Sequence, residues 1–304
     1  MPRIRILFIG TGCVCFSAET PYIPAPGEQI ISRGSYGTCP GGHGLLSAVA
    51  SRRLGGDPAL CTCIGQDYYG DRLKDICKRE GVHISAVEQI PDEQTGLQIR
   101  LTEKDGTLRR IWLPGAVKRL DEETVRSAFS CYPDAVVVAS SCPAEVLIAA
   151  SETAEEKKIP FILDEDPDGP MLDFLPLEKL HAELLIVNEA RNEQENGIHV
   201  SREDKQKQLC YGLYKRSEVK AIVMRLGSKG CFLYDGKYFS LVSAPDLEVV
   251  DPDGAAAVFT AAFAGEYLGS RDLLKASQCA NAASGFTASR KGGFASLPEQ
   301  KEEN

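Results

Sequence analysis

The chain has 304 residues, 43% hydrophobic and 25% charged, which is an ordinary composition for a globular α/β protein with a large core. Acidic residues outnumber basic residues by 43 to 34, the net charge is -9 and no dense basic run occurs, so a nucleic-acid partner is not expected. No apolar run is long enough to cross a bilayer and no secretion signal is recognisable, so we expect a cytoplasmic protein without a membrane partner.

Apolar runs of strand length alternate with helical patterns along most of the chain. The predicted strands are rich in Val, Ile and Leu, as strands buried on both faces are, and cover residues 4–10, 59–64, 135–139, 160–164, 183–187 and 221–226. Helices are predicted at residues 44–54, 72–80, 254–269 and 273–289. This alternation predicts an α/β fold in which helices cover both faces of a mainly parallel sheet, a three-layer αβα sandwich.

One region has the pattern of an antiparallel hairpin instead. Asp105-Gly106 supplies a turn before residues 108–113, and in the preceding arm polar residues alternate with Leu97, Ile99 and Leu101. Residues 22–36 are predicted as a partner strand. The sequence therefore predicts one domain over residues 1–304, with a small β-strand lid from about 13–38 and 92–115 over the carboxyl edge of the main sheet.

The 11 cysteines are predicted to be reduced, because several lie in apolar strand-like runs and nothing marks the chain for secretion. Two C-x-C pairs are present, Cys13 with Cys15 and Cys61 with Cys63. Zinc sites usually space paired cysteines more widely and need a second pair, so we predict no metal site from them.

Three separated stretches resemble one family. Pro26-Gly27-Glu28, followed by Gly41-Gly42-His43-Gly44 at a helix start, is similar to the first signature of the ribokinase, or phosphofructokinase B, carbohydrate kinases. Residues 224–231 (MRLGSKGC) resemble the family's strand and glycine turn beside the nucleotide. Residues 250–259 (VDPDGAAAVF) align with the second signature, usually Asp-Thr-x-Gly-Ala-Gly-Asp-x-Phe. Taken singly, the glycine pairs are also typical of ordinary turns, but the order of the stretches along the chain implies the ribokinase-like fold.

The resemblance implies a phosphotransferase that uses ATP and Mg²⁺ to phosphorylate a hydroxymethyl group of a sugar or nucleoside. Such a reaction needs a base for the hydroxyl proton, N–H groups at a helix N-terminus for the developing anion, and cations for the phosphates. The resemblance places Gly41 and Gly42 at the substrate. It places the nucleotide or its anionic groups at Asn188, Gly227, Gly230, Gly254, Ala255 and Asn281.

The residues that would carry the reaction are replaced. Ala257 stands at the position of the family's catalytic Asp and cannot accept a proton. Ala256 replaces a turn glycine, adding a Cβ where an anion would approach and resisting any positive φ at that position. We therefore assign no catalytic residue from the sequence.

Other replacements affect the cation, the phosphates and the sugar. Where the family has Asn-x-x-Glu, this chain has Asn188-Glu189-Ala190-Arg191, which puts a cation at the position of the metal's acidic support. Asp166 and Asp168 follow Asp164 where the family often presents Asn and Arg to phosphate, and they would repel ATP. Cys15 and Leu46 replace an Asp and an Asn that face sugar hydroxyls. No metal ligand or cofactor is assigned from the sequence.

We consider three hypotheses for the function. The first is a degenerate homologue, or pseudokinase, with lost or very weak catalysis, that acts by ligand binding or assembly. Assembly here includes a homodimer formed through the lid face of Leu97, Ile99 and Leu101. The second is an active kinase of atypical substrate in which Asp251 or Asp253 replaces the base. The third, inactivation of a recently active kinase, explains Ala257 but not the scattered other replacements. His43, often Lys in the family, is interpreted as a partly exposed helix-start residue, because no partner acid lies near it in the sequence.

Overall fold

A computed structural model of the chain describes residues 3–167, 169, 172–189, 202–217 and 219–299. Its centre is a nine-stranded sheet in the order β13-β12-β11-β10-β9-β8-β1-β4-β5. The strands from β11 to β5 in this order are parallel, while β12 pairs antiparallel with both β11 and β13. The bounds are β1 Arg5–Ile9, β4 Asp57–Gly65, β5 His83–Ile90, β8 Ala135–Ala139, β9 Phe161–Asp164, β10 Leu184–Asn188, β11 Ala221–Arg225, β12 Cys231–Tyr234 and β13 Phe239–Val242.

Helices cover both faces of this sheet. They are α1 His43–Arg53, α2 Tyr68–Arg79, α3 Glu122–Ala128, α4 Ala144–Lys157, α5 Arg202–Ser217, α6 Ala255–Ser270 and α7 Leu273–Ala288. Alternate residues of β1 point to opposite sides: Ile6 and Phe8 pack with α1, α2, α6 and α7, while Leu7 and Ile9 pack with α3, α4 and α5. The predicted three-layer αβα sandwich is confirmed.

A second, four-stranded sheet has the order β3-β2-β6-β7. Its strands are β2 Cys13–Thr20, β3 Tyr36–Gly41, β6 Gly96–Glu103 and β7 Leu108–Leu113. It leaves the main sheet just after the carboxyl ends of β1 and β5, so it stands beside the edge at which parallel sheets bind ligands. The hairpin expected around Asp105-Gly106 is present as β6 and β7.

The prediction of a partner strand at residues 22–36 is wrong. Most of that segment is loop, and the strands that pair are β2 before it and β3 after it. Pro24 and Pro26 lie in the segment and lack the N–H that a strand ladder needs. Among the described residues, no helix is both long enough and apolar enough to span a bilayer.

Candidate functional site

A cavity of about 360 Å³ opens at the carboxyl ends of β10 and β11. The strand ends, the first turns of α6 and one side of α7 form its wall, and five of the residues implied at the nucleotide line it: Asn188, Gly227, Gly230, Ala255 and Asn281. Gly254 directly precedes Ala255 and caps α6 with a left-handed φ of 79°. The fold thus brings residues from distant parts of the chain to one cavity.

The wall of this cavity is mostly apolar, with contributions from Ala244, Pro245, Leu247, Val249, Phe259 and Ala288. The polar lining residues are Asn188, Glu189, Arg225, Ser228, Asn281 and Ser284, and the side chains of Asn188 and Arg225 are hydrogen-bonded at 2.8 Å. A cavity of this size, with apolar walls and few polar groups, suits a flat heteroaromatic ring joined to a polar tail. The residues present therefore fit a nucleotide.

The start of α6 carries no acid at the expected base position. Ala257 is buried, with 2% of its surface exposed. Ala256 lies inside the helix and is not among the residues with positive φ, so the backbone strain expected at Ala256 does not arise. The left-handed conformation is at Gly254 instead, where only glycine adopts it without cost.

A buried cluster of charges lies beneath the cavity, centred on Asp164 at the end of β9. Asp164 is fully buried, and its carboxylate accepts a hydrogen bond from Thr260 at 2.7 Å and is 3.0 Å from the Arg225 guanidinium. The ring of His43 also bonds to this carboxylate through Nε2. His43 begins α1 and is partly exposed as a whole residue, as interpreted, but its side chain is only 8% exposed and is paired with an acid that is distant in the sequence.

Arg225 connects this cluster to the cavity. Its guanidinium donates to the carbonyl oxygens of Glu165 at 2.5 Å and Ala256 at 3.2 Å, and to the hydroxyl of Thr260 at 3.1 Å. With its bond to Asn188, this side chain joins the ends of β9 and β10 to the first turns of α6. Arg225 therefore fixes the position of the helix start against the strand ends.

The charges of the cluster are mutually stabilised. Burial by itself would raise the pKa of Asp164, but the Arg225 guanidinium and the His43 imidazole outweigh it and hold that pKa below its ordinary value. Burial likewise opposes a charge on His43, and the Asp164 carboxylate, which outweighs burial, raises the pKa of the imidazole. The cluster is therefore an arrangement of paired ions.

The predicted substrate residues lie at the junction of the small sheet and α1. Gly41 ends β3, and Gly42 caps α1 with a φ of 92°. A Cβ at Gly42 would lie 2.5 Å from the carbonyl oxygen of Thr11, so this position requires glycine. Both glycines have a structural role whether or not a substrate binds beside them.

One face of the small sheet carries Cys15, Gln98 and Arg100 and turns toward the loop before α6; we call it the cleft face. It contains Cys15, one of the two replaced sugar positions. Cys15 is 4% exposed, with its sulfur 3.8 Å from Oε1 of Gln98, and Leu46, in α1, packs against the core. Neither side chain replaces the strong hydrogen-bonding groups of the family pattern. Polar groups near Cys15 come instead from Gln98, beside it, and from Arg100 two residues further along β6.

The two acids considered as substitute bases are both engaged. Asp253 pairs with Arg100 of β6 and lies 3.9 Å from Arg110 of β7. Asp251 accepts backbone N–H groups of Asp253 at 3.0 Å and Gly292 at 3.1 Å. Asp253 thus ties the small sheet to the loop before α6, and a substrate would have to compete with this ion pair.

The cation and phosphate positions are described in part. Glu189 is buried and bonded to Gln206, and Asp166 accepts a hydrogen bond from Ser141 at 2.5 Å. Ala190, Arg191 and Asp168 lie outside the described residues. Within the described part of the chain, no group of three His, Cys, Asp or Glu side chains could hold a metal ion.

Sequence reasoning missed Asp164, Arg225, Thr260 and Arg100. Asp164 and Arg225 end the apolar strands β9 and β11, which lie on either side of β10, and a charged residue at such a strand end was an available signal. Arg100 is one of the polar residues that alternate with apolar ones in β6, and this pattern does not indicate its ion pair with Asp253.

Comparisons with known proteins agree with this architecture. The model of the pfkB family carbohydrate kinases matches residues 5–300. Ribokinase from Haemophilus influenzae is 24% identical over 286 residues, covering 93% of this chain and 92% of that protein. The structure of Arabidopsis thaliana ribokinase complexed with ribose and ATP is similar with a TM-score of 0.84 at 24% identity, covering 99% of this chain and 97% of the other. Giardia lamblia ribokinase gives a TM-score of 0.84 at 19% identity, covering 98% and 96%.

The solved structures share the fold of this chain, and the family match extends over nearly its whole length. This chain belongs to the pfkB family of carbohydrate kinases.

Proposed function

We propose that this protein is a ribokinase-type homologue that binds a nucleotide at the cavity beside α6 and has lost most or all of its phosphoryl transfer. It acts through ligand binding or assembly. The observation that carries the proposal is Ala257: the first turn of α6 offers only a methyl group where the reaction needs a base. Loss of a general base lowers turnover by about 10²–10⁴-fold.

Nucleotide binding is supported by the cavity itself and by relatives. The Arabidopsis ribokinase was solved with ribose and ATP, and the Cryptococcus neoformans ribokinase with ADP. An active kinase with Asp253 as the base remains the alternative, and it requires Asp253 to leave Arg100 and Arg110. Asp251 would have to give up two backbone hydrogen bonds.

The test is a thermal-shift titration with ATP and ADP, with and without Mg²⁺, followed by an ADP-release assay with a panel of sugars and nucleosides. We expect nucleotide to raise the melting temperature, and no substrate-dependent ADP release above the blank. The variant Ala256→Gly/Ala257→Asp is expected to recover little turnover, because Cys15 and Leu46 remain. Substrate-dependent ADP production by the unmodified protein would refute the loss of catalysis, and its disappearance in Asp253→Asn would identify the substitute base.

We infer further that two copies pair through the outer face of the small sheet. In the strand register Leu97 and Ile99 lie opposite Leu113 and Ile111, so these apolar side chains share one face. Ile111 is 52% exposed and Leu113 47%, which leaves apolar surface for a partner. Light scattering should give the mass of a dimer for the native chain and of a monomer for Ile111→Glu, with Thr107→Glu in the turn as control. A native chain that is monomeric at tens of micromolar would contradict this.

A further inference from the structure

The cleft face of the small sheet carries a pair of thiols. Cys15 in β2 lies directly opposite Cys39 in β3 in the antiparallel register, and both are free. Opposed residues of this kind have Cα atoms about 4.5 or 5.5 Å apart. Both distances fall within the range of about 4.4–6.8 Å that disulfides span.

The two side chains lie on the same face of the small sheet and differ in character. A hydrogen bond joins the thiols; it lowers the pKa of Cys39 to about 7, with help from the Arg100 guanidinium and the N–H of Phe294 and against burial and Asp251. The same hydrogen bond and burial raise the pKa of Cys15. Cys39 is partly exposed while Cys15 is buried. This is the arrangement of a reactive thiol beside a resolving thiol.

We propose that Cys15 and Cys39 form a reversible intramolecular disulfide when the protein meets a hydroperoxide, with Cys39 reacting first. The Cys39 thiolate takes one oxygen from hydrogen peroxide as the O–O bond breaks, and the departing hydroxide combines with the proton that Cys39 released. The Cys15 thiol then attacks the sulfenic sulfur, forming the S–S bond and expelling water. Two thiols and one peroxide thus give one disulfide and two waters, and no nucleotide takes part.

A disulfide between Cys15 and Cys39 would change the contacts at the cleft face of the small sheet. Cys39 lies where β3 meets the C-terminal turn at Gly293–Ser296, and Arg100, which stabilises its thiolate, also holds Asp253 in the loop before α6. Oxidation removes the thiolate from Arg100 and closes a loop over residues 16–38. We therefore expect the oxidised protein to melt at a higher temperature, by roughly 5 °C, because the unfolded chain is constrained.

The test uses the full chain, reduced, desalted and exposed to a small excess of hydrogen peroxide. Alkylation under denaturing conditions and peptide mapping should show a Cys15–Cys39 cross-linked peptide that dithiothreitol removes. Cys61 and Cys63, buried in β4, serve as the internal control and should be recovered as alkylated thiols. Cys15→Ser should accumulate Cys39 as a sulfenic acid trapped by dimedone, and Cys39→Ser should form no disulfide.

If exposure alone decided which thiol is oxidised, Cys279 would react before Cys39, because Cys279 is exposed and Cys39 is only partly exposed. The proposal is overturned if Cys279 is oxidised while Cys39 can still be alkylated. It is also overturned if peptide mapping finds Cys39 cross-linked to a cysteine other than Cys15. The map of the unmodified chain decides this even if a variant fails to fold. Loss of nucleotide binding in the cavity would leave the disulfide result unchanged, so the two proposals are tested separately.

Discussion

Arg225→Met is expected to lower the free energy of unfolding by about 3–5 kcal/mol, the usual cost of removing one partner from a buried ion pair. The substitution keeps a long side chain but leaves Asp164, which has no exposed surface, with less positive charge beside it. It also removes the donors that hold the carbonyl groups of Glu165 and Ala256. Urea unfolding monitored by circular dichroism measures the loss.

The matched control is Arg126→Met. Arg126 pairs with Glu152 at 2.6 Å, but the two side chains are 41% and 49% exposed, so the loss of this pair should leave the unfolding midpoint close to that of the native chain. The variant Arg225→Met/Asp164→Asn tests the mechanism, because removing the buried charge together with its partner should cost less than the sum of the single changes. Additive losses would mean that the two groups are not coupled, and a negligible loss in Arg225→Met would mean that Arg225 does not stabilise the Asp164 carboxylate.

The main sheet was predictable because its strands are buried on both faces. Every residue of β8, Ala135–Ala139, is buried, and the run of apolar residues reports this directly. The small sheet was harder to predict. β3 has the sequence YGTCPG, with little intrinsic preference for a strand, and it forms because β2 pairs with it in space.

The candidate site likewise has some residues that the sequence pattern predicts and others that it does not. The glycine turns and Asn188 were predictable because local motifs mark them. The bond between His43 and Asp164 joins residues 121 positions apart, and neither residue has a local pattern that names its partner. The pairing of Arg100 with Asp253 is likewise set by how the small sheet sits over α6. Local patterns predict which residues enter a site, while charge pairing within it depends on tertiary packing.

Gly285→Phe is expected to weaken nucleotide binding by at least about a hundredfold, equivalent to about 2.7 kcal/mol. Gly285 lines the cavity on α7, and a Cβ there would lie 3.7 Å from Leu247 and Pro245, which line the same cavity. A methyl group fits at that distance, but an aromatic ring would occupy space that a nucleotide base needs. Isothermal titration with ATP, or the shift in melting temperature with ATP concentration, measures the change.

Two variants separate blocking of the cavity from general damage. Gly285→Ala adds only a Cβ in ordinary contact and should bind nucleotide as the native chain does. Gly265→Phe makes the same substitution on α6, where a Cβ meets no atom of the described residues within 4 Å, so it should also keep binding. If Gly285→Phe remains folded and still responds to ATP like Gly265→Phe, then the nucleotide does not enter the cavity beside α6. That result would refute the proposed nucleotide site, and the ATP response would have to come from another part of the chain.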